Sequence, residues 1–220
     1  MTFELNHMEK MHLNGLILAA GLSSRMGQLK PLLPLNGKTL IENTVDSMFS
    51  AGVQKIIVVL GYRSAEIESV LRARYPNDRL IIAYNRDYAT TDMLASIKIG
   101  LRCLSECDAF YLLPGDMPKI SPQTYQSLAQ EMLSSKKRIV FPTVDGYRKH
   151  PPLISYGLLE DILAFCGSGG LRELWKIYPN EIAEFPVDDY GCVIDIDTPA
   201  QYRQCIHGKE AVSSIPTYRT

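Results

Sequence analysis

Gly15-Leu16-Ile17-Leu18-Ala19-Ala20-Gly21-Leu22-Ser23-Ser24-Arg25-Met26-Gly27-Gln28-Leu29-Lys30 opens on a short apolar run and breaks at a glycine. It then sets out small polar residues, an arginine, a second glycine and a lysine. An apolar run of this kind reads as a buried parallel strand. A Gly/Ser loop behind such a strand presents backbone N–H groups that approach phosphate oxygens closely, because little side chain stands in the way. Arg25 and Lys30 add the fixed positive charge that a triphosphate requires. The stretch therefore predicts a polyphosphate cradle; the plainer alternative is a Gly/Ser turn with two solvated cations. It is not a Walker loop, because five residues separate Gly21 from Gly27 and Lys30 comes three later. Gly-x-Gly-x-x-Gly is absent as well, which sets aside a nicotinamide-dependent oxidoreductase.

Outward from this stretch, strand and helix alternate. Thr39 is placed to cap a helix reaching about Ala51, with Leu40, Ile41, Val45, Met48 and Phe49 at helical spacing and Gly52 ending it. Gln54–Leu60 reads as a second buried strand, Ser64 to about Tyr75 as a helix stopped by Pro76, and Leu80–Tyr84 as a third strand. Thr91 or Asp92 is a good N-cap for a helix carrying Met93, Ile97 and Leu101. Ala109–Leu113 is a fourth strand, and Ser121-Pro122 opens another helix with Ser at the cap and Pro in the first turn. Such alternation over short connections predicts a mostly parallel sheet covered on both faces, a Rossmann-like three-layer α/β fold.

The second half changes rhythm. Arg138–Val144 is strand-like, Gly146–Pro152 a loop, and Leu153–Ser155 a short strand. Helices are expected at about Gly157–Phe165 and Leu171–Ile177, strands at Ile182–Phe185 and Val193–Ile196, and a last helix from Pro199 to about Ile206. Mixed edges to the sheet and acceptor-binding surface are expected from this half.

The chain has 220 residues, 46% hydrophobic and 21% charged, which suits one α/β domain over residues 13–207 with tails at 1–12 and 208–220. A net charge of −1 provides no global field for nucleic acid or an anionic membrane, so a polyanion must be held locally. No apolar run has the length to cross a bilayer, and Met1–Asn14 lacks a signal peptide's apolar middle, which predicts a cytoplasmic protein. Five cysteines without a Cys-x-x-Cys read as reduced structural thiols rather than a zinc site.

Two acidic elements stand out. Asp116, in Pro114-Gly115-Asp116-Met117-Pro118, follows the C-terminal end of a buried strand, the edge of an open parallel sheet where ligands bind. A carboxylate there can hold Mg²⁺ against phosphates, or merely cap the turn before Ser121. In Asp195-Ile196-Asp197-Thr198-Pro199, strand periodicity places both carboxylates on one side. Capping the helix at Pro199 needs only Asp197, which ranks Asp195 first as the second metal ligand.

The spelling Leu-Ala-Ala-Gly-x-Ser-x-Arg-Met-Gly-x-x-Lys, running on into Pro31-Leu32-Leu33, resembles the MobA-like and MocA-like nucleotidyltransferases of molybdenum cofactor biosynthesis. The likeness spans about Leu16 to Tyr202. It implies the nucleotide-diphospho-sugar transferase type of fold. It also implies a loop of Leu18, Ala19, Ala20, Gly21, Ser23, Ser24, Arg25, Met26, Gly27 and Lys30 around the triphosphate, with Arg25, Lys30 and Asp116 as the catalytic set. Asn85 and Ser96 match the family's Asn…Ser pattern around base and ribose, and Gly61, Pro114 and Gly115 are grouped with the nucleotide-binding residues. Asp-Ile-Asp-Thr-Pro is similar to the family's C-terminal signature, where an acidic pair faces Mg²⁺ or Mn²⁺. Arg148 and His150 sit in Gly-Tyr-Arg-Lys-His-Pro, similar to the family's acceptor segment, with Lys149 in place of glycine. His150 is expected either to donate to an acceptor phosphate or to be a satisfied turn histidine. Gly167–Arg172 resembles a further acceptor element in which Ser168 replaces aspartate, leaving Arg172 to contact an anion or lie on a helix surface. Thr91-Asp92 replaces the glycine expected before Met93, a spelling that leans toward sugar- and choline-phosphate cytidylyltransferases.

Ala-Ala-Gly implies CTP, where Ala-Gly-Gly relatives use GTP. The resemblance thus implies transfer of CMP to molybdopterin with release of pyrophosphate, in the service of a molybdenum hydroxylase apoenzyme. The alternatives are a sugar-phosphate or phosphocholine acceptor, or a non-catalytic accessory protein that hands on the cofactor.

Overall fold

The computed structural model describes residues 11–24 and 26–207; Arg25 and the expected tails at 1–10 and 208–220 lie outside the described residues. Residues 11 and 12, expected as tail, are included, and the His12 amide donates to Asp108 Oδ2 at 2.6 Å.

The first strand, β1 (Leu13–Ala19), is followed by a small antiparallel pair, β2 (Pro34–Leu35) and β3 (Lys38–Thr39), and by α1 (Leu40–Ser50). The chain then alternates β4 (Lys55–Leu60), α2 (Ser64–Arg74), β5 (Leu80–Tyr84), α3 (Met93–Leu101), β6 (Ala109–Pro114) and α4 (Pro122–Ser135). The remainder is β7 (Ile139–Val144), β8 (Tyr147–Arg148), β9 (Leu153–Ser155), α5 (Leu159–Ala164), α6 (Leu171–Trp175), β10 (Ile182–Pro186) and α7 (Pro199–His207).

Within the described residues, an eight-stranded sheet runs β10-β7-β9-β6-β1-β4-β5, with β8 paired outside β7. The pairs β1–β4, β1–β6, β4–β5 and β7–β10 are parallel, and β9 runs antiparallel to both β6 and β7. The mostly parallel α/β expectation holds, with the mixed region in the second half.

Alternation along each strand divides the core into two layers. Leu16, Ile57 and Leu112, in register across three strands, pack with Leu94, Ile97 and Leu101 of α3 and with the α5 and α6 residues Ile162 and Trp175. Ile17, Val58 and Leu113, one residue on, pack against α1, α2 and α4 through Ile41, Val45, Ile67, Leu71, Tyr125 and Leu128. Both faces of the central strands are covered, which is why they read as unbroken apolar runs.

The helix starts follow the side chains predicted for them. The Thr39 hydroxyl accepts from the Glu42 amide while Glu42 Oε2 accepts from the Thr39 amide at 2.7 Å, a complete capping box. Asp92 caps α3 and Ser121 caps α4.

Three expectations are corrected. The 146–152 loop contains β8, because Asp145 and Gly146 take φ of 52° and 77° and so form the two-residue turn of a tight hairpin. The helix expected from Gly157 is a 3₁₀ turn, Tyr156–Leu158, leading into the short α5. Val193–Ile196 forms no strand. It follows a 3₁₀ turn at Tyr190–Cys192, whose Tyr190 carbonyl accepts from the Val193 amide at 3.0 Å; its bond to another part of the chain is Ile196 N to Asp116 O at 3.3 Å, and no strand ladder among the described residues includes it.

Cys103 and Cys166 are exposed, whereas Cys107, Cys192 and Cys205 are buried. Burial pushes the Cys107 thiol up to about 11 and the Cys192 thiol up to about 12, so neither supplies thiolate near neutrality. Titration of the folded protein with DTNB at pH 8 is therefore expected to label Cys103 and Cys166 alone and to reach the other three only in denaturant. Rapid labelling of all five without denaturant would contradict this packing.

Candidate functional site

After β1 the chain travels to β4 and β5 on one side and returns to β6 on the other, so the strand order reverses beside β1. Ligands of open α/β sheets bind in the crevice that such a reversal leaves at the carboxyl ends of the strands. A cavity of about 390 Å³ lies there. One wall is Leu18–Ser24 with Met26, Lys30 and Pro31, a second is Tyr88, Thr91, Asp92, Met93 and Ser96, and the base is Pro114–Asp116 with Asp197.

The glycine loop is held open by its own backbone. Ser23 takes a left-handed φ of 53° and Gly27 one of 65°. Ser23 O accepts from the Met26 amide at 3.0 Å and Ser23 Oγ from the Lys30 amide at 3.2 Å. Met26, buried, joins Leu33, Leu35, Leu40, Ile196 and Cys205 in a small apolar cluster that ties the loop to α7 and to the Asp195–Asp197 segment. A Cβ built on Gly21 meets nothing within 4 Å, so the loop leaves free space at the cavity. Gly61 matters for the opposite reason. A Cβ there would lie 2.5 Å from the Ala20 carbonyl oxygen, so glycine allows β4 to end against the loop.

At the base, Lys30 Nζ donates to Asp116 Oδ2 and to Asp197 Oδ1, each at 2.7 Å. These carboxylates, far apart in sequence, thus share one small space. Burial alone would lower the Lys30 pKa, but Asp116 and Asp197 outweigh it and hold the ammonium above its ordinary value. The second oxygen of Asp116, Oδ1, is buried without a hydrogen-bond partner. Asp195 stands alongside; partial desolvation of its carboxyl, then the charges of Asp197 and Asp116, raise its pKa. Three carboxylates so arranged repel one another and gain from a cation.

That arrangement fits a hard divalent ion such as Mg²⁺, which takes one or two carboxylates and fills its shell with phosphate oxygens and water. Asp116 Oδ1 has the unmet acceptor capacity that such an ion uses. Among the described residues no three His, Cys, Asp or Glu side chains form a ready ligand set.

Of the sequence-predicted residues, Leu18, Ala19, Ala20, Gly21, Ser23, Ser24, Met26, Lys30, Ser96, Pro114, Gly115, Asp116 and Asp197 line the cavity. Gly27, Gly61, Asn85, Asp195, Arg148, His150 and Arg172 do not, and Arg25 lies outside the described residues. The helix at Pro199 is not capped by Asp197: the Thr198 hydroxyl accepts from the Gln201 amide at 3.2 Å, while Asp197 is turned to Lys30. Asn85 is buried, with its amide donating to Thr91 Oγ1 at 3.0 Å and Ser96 Oγ at 2.9 Å, so it locks the second wall from behind.

His150 is mostly buried near Asp116 and Asp195. Burial lowers its pKa, its ring hydrogen-bonds to the Leu112 backbone, and Nδ1 is buried without a partner. A neutral imidazole has one N–H, so with that contact to the Leu112 backbone Nδ1 is left as a lone pair, which favours the turn-histidine alternative over donation to an acceptor phosphate. Arg148 pairs with Glu184 at 2.8 Å, and Arg172 is exposed on α6. Sequence reading passes over Leu22, Pro31, Tyr88, Thr91, Asp92 and Met93 as cavity residues; the Thr-Asp cap at a strand-to-helix connection is the signal for the second wall.

A glycine loop whose Lys30 closes on two acids at the carboxyl ends of the strands, beside a reversal of strand order, lies where ligands of open α/β sheets bind. Comparison with known proteins agrees. Residues 15–183 match the MobA-like NTP transferase domain. The chain is 28% identical to the molybdenum cofactor cytidylyltransferase of Escherichia coli (strain K12), over 91% of this chain and 97% of that protein. It is also 28% identical to a probable molybdenum cofactor guanylyltransferase of Natranaerobius thermophilus, over 62% of each chain. Among solved structures, Rv0371c from Mycobacterium tuberculosis H37Rv superposes with a TM-score of 0.72 at 26% identity, over 90% of this chain and 98% of that one. The chain belongs to the MobA-like NTP transferase family and is a nucleotidyltransferase.

Proposed function

We propose that this nucleotidyltransferase transfers CMP from CTP to a phosphorylated small molecule, molybdopterin being the favoured acceptor, with Mg²⁺ or Mn²⁺ as its metal and a molybdenum hydroxylase apoenzyme as the downstream recipient. The single observation that carries the reading is Asp116. One of its oxygens is bound to Lys30 and the other is buried and unmet, beside a glycine loop with open space in front of it. CTP is supported by Ala19-Ala20-Gly21 in the loop and by the likeness, along nearly the whole chain, to a molybdenum cofactor cytidylyltransferase.

In the reaction an ionised phosphate oxygen of the acceptor attacks the α-phosphorus of CTP, the bond from that phosphorus to the β-phosphate bridging oxygen breaks, and pyrophosphate leaves. No general base is needed, because the attacking oxygen is already deprotonated. Bound Mg²⁺, held by Asp116 with Asp195 or Asp197 as the second carboxylate, would neutralise the phosphate oxygens and favour departure of pyrophosphate. The chain's own residues align and neutralise. The loop from Ala20 to Ser24 receives the phosphates on its backbone, and Lys30, already fixed by two carboxylates, supplies a cation that does not have to be reoriented.

A second acceptor class, a sugar phosphate or phosphocholine, is favoured by one feature: Thr91-Asp92-Met93, the spelling that departs from the molybdenum cofactor pattern, lines the cavity.

Pyrophosphate release measured with CTP, GTP, ATP and UTP, with and without each candidate acceptor, tests the reading. CTP with molybdopterin is expected to be fastest, and Asp116→Ala to lower the rate about 10³-fold. Nucleotide binding without turnover on any acceptor would show an accessory protein instead. For Lys30→Ala, kcat/KM is expected to fall about 10²-fold or more, while the unfolding free energy drops by only about 1–2 kcal/mol because the side chain is partly solvated. Equal proportional losses of activity and stability would count against the cradle.

A further inference from the structure

The second wall of the cavity comes from the connection between β5 and α3, on the opposite side of β1 from β6 and Asp116. Its side-chain hydrogen bonding is mostly closed. Thr91 Oγ1 accepts from Asn85 and donates to the Asp87 carbonyl at 2.9 Å, and Ser96 Oγ accepts from Asn85. Met93, 60% exposed, is apolar. Asp92 is different. Its Oδ1 accepts from the Ala95 amide at 3.0 Å and caps α3, while its other oxygen has no partner among the described residues. Among Tyr88, Thr91, Asp92, Met93 and Ser96, it is the one anionic acceptor this wall offers a ligand.

We infer that Asp92 is the residue that selects the nucleobase, its free carboxylate oxygen accepting from the exocyclic amine of cytosine and rejecting uracil. The inference rests on the nucleotidyltransferase reading above and deepens it. With the triphosphate held at the Lys30 and Asp116 end, the far wall is left for the base. Cytosine presents an N4 amino group where uracil presents the O4 carbonyl, and an ionised carboxylate has only lone pairs with which to meet either. It pairs with the amine and opposes the carbonyl, so the acceptor favours cytosine because the wrong base leaves two acceptors facing each other.

Asp92→Asn separates selection from folding. Asparagine caps a helix as well as aspartate does, so its amide oxygen can keep the Ala95 bond while its NH₂ replaces the free carboxylate oxygen. Equilibrium binding of CTP and of UTP to wild type and variant, each with Mg²⁺ and no acceptor, reads the selection directly. The CTP preference over UTP is expected to fall about tenfold or more, through tighter UTP and weaker CTP, with the melting temperature unchanged. A ratio that stays within about twofold, or a parallel loss of both nucleotides, overturns the inference while leaving the enzyme reading in place. Absence of CTP binding to the wild type overturns the enzyme reading and the inference with it.

Discussion

Strand β1 has neither a free edge nor a free face. It is bonded to β4 along one side and β6 along the other from Asn14 to Leu18, and helices cover it above and below. A strand buried in this way cannot slide, because a shift of one residue would exchange its two apolar faces and separate Leu16 from Leu112. Everything that emerges from its carboxyl end is therefore launched from a fixed point. The Gly115 amide donates to Leu18 O at 2.9 Å, which joins the end of β6 to the end of β1 and brings Asp116 beside the loop. The cavity is the consequence of two adjacent strands ending together with chains leaving in different directions.

Onto that platform the fold sets an unfavourable concentration of negative charge. Asp116, Asp195 and Asp197 lie together in a protein whose net charge is only −1. Lys30 relieves two of them, and the apolar cluster of Met26, Leu33, Leu40 and Ile196 keeps the participating segments from drifting apart. The resting arrangement is thus partly neutralised and retains acceptor capacity at Asp116 Oδ1.

Much of this is legible from residue order because it depends on local rules. Thr39 three residues before Glu42 is a capping box wherever it occurs, and Ser121-Pro122 starts a helix by the same logic. The runs at β1, β4 and β6 are apolar enough to require burial on both faces. Misreadings gather where a segment's conformation is set by distant neighbours. Val193–Ile196 has the residues of a strand but no free ladder beside it, and Ile196 is buried by the loop cluster instead. Asp197 reads as the cap of a helix that Thr198 in fact caps, since a residue's direction at a helix start depends on which competing partner is near. His150 reads equally as a phosphate donor or a turn histidine, and only its burial beside the Leu112 backbone, where the antiparallel return of the chain puts it, separates the two.

The amino-acid sequence by itself determined the layer order, the helix starts, the glycine loop and the presence of two acidic elements, because periodicity, capping and backbone freedom act over a few residues. Only the tertiary structure decided which of those groups meet. Lys30 closes on Asp116 and Asp197 across separations of 86 and 167 residues, Asn85 turns inward, and Asp92 is left facing the cavity. Such pairings are decided by where the buried sheet releases each loop and by which polar groups are already satisfied when the loops arrive, and no local pattern encodes that.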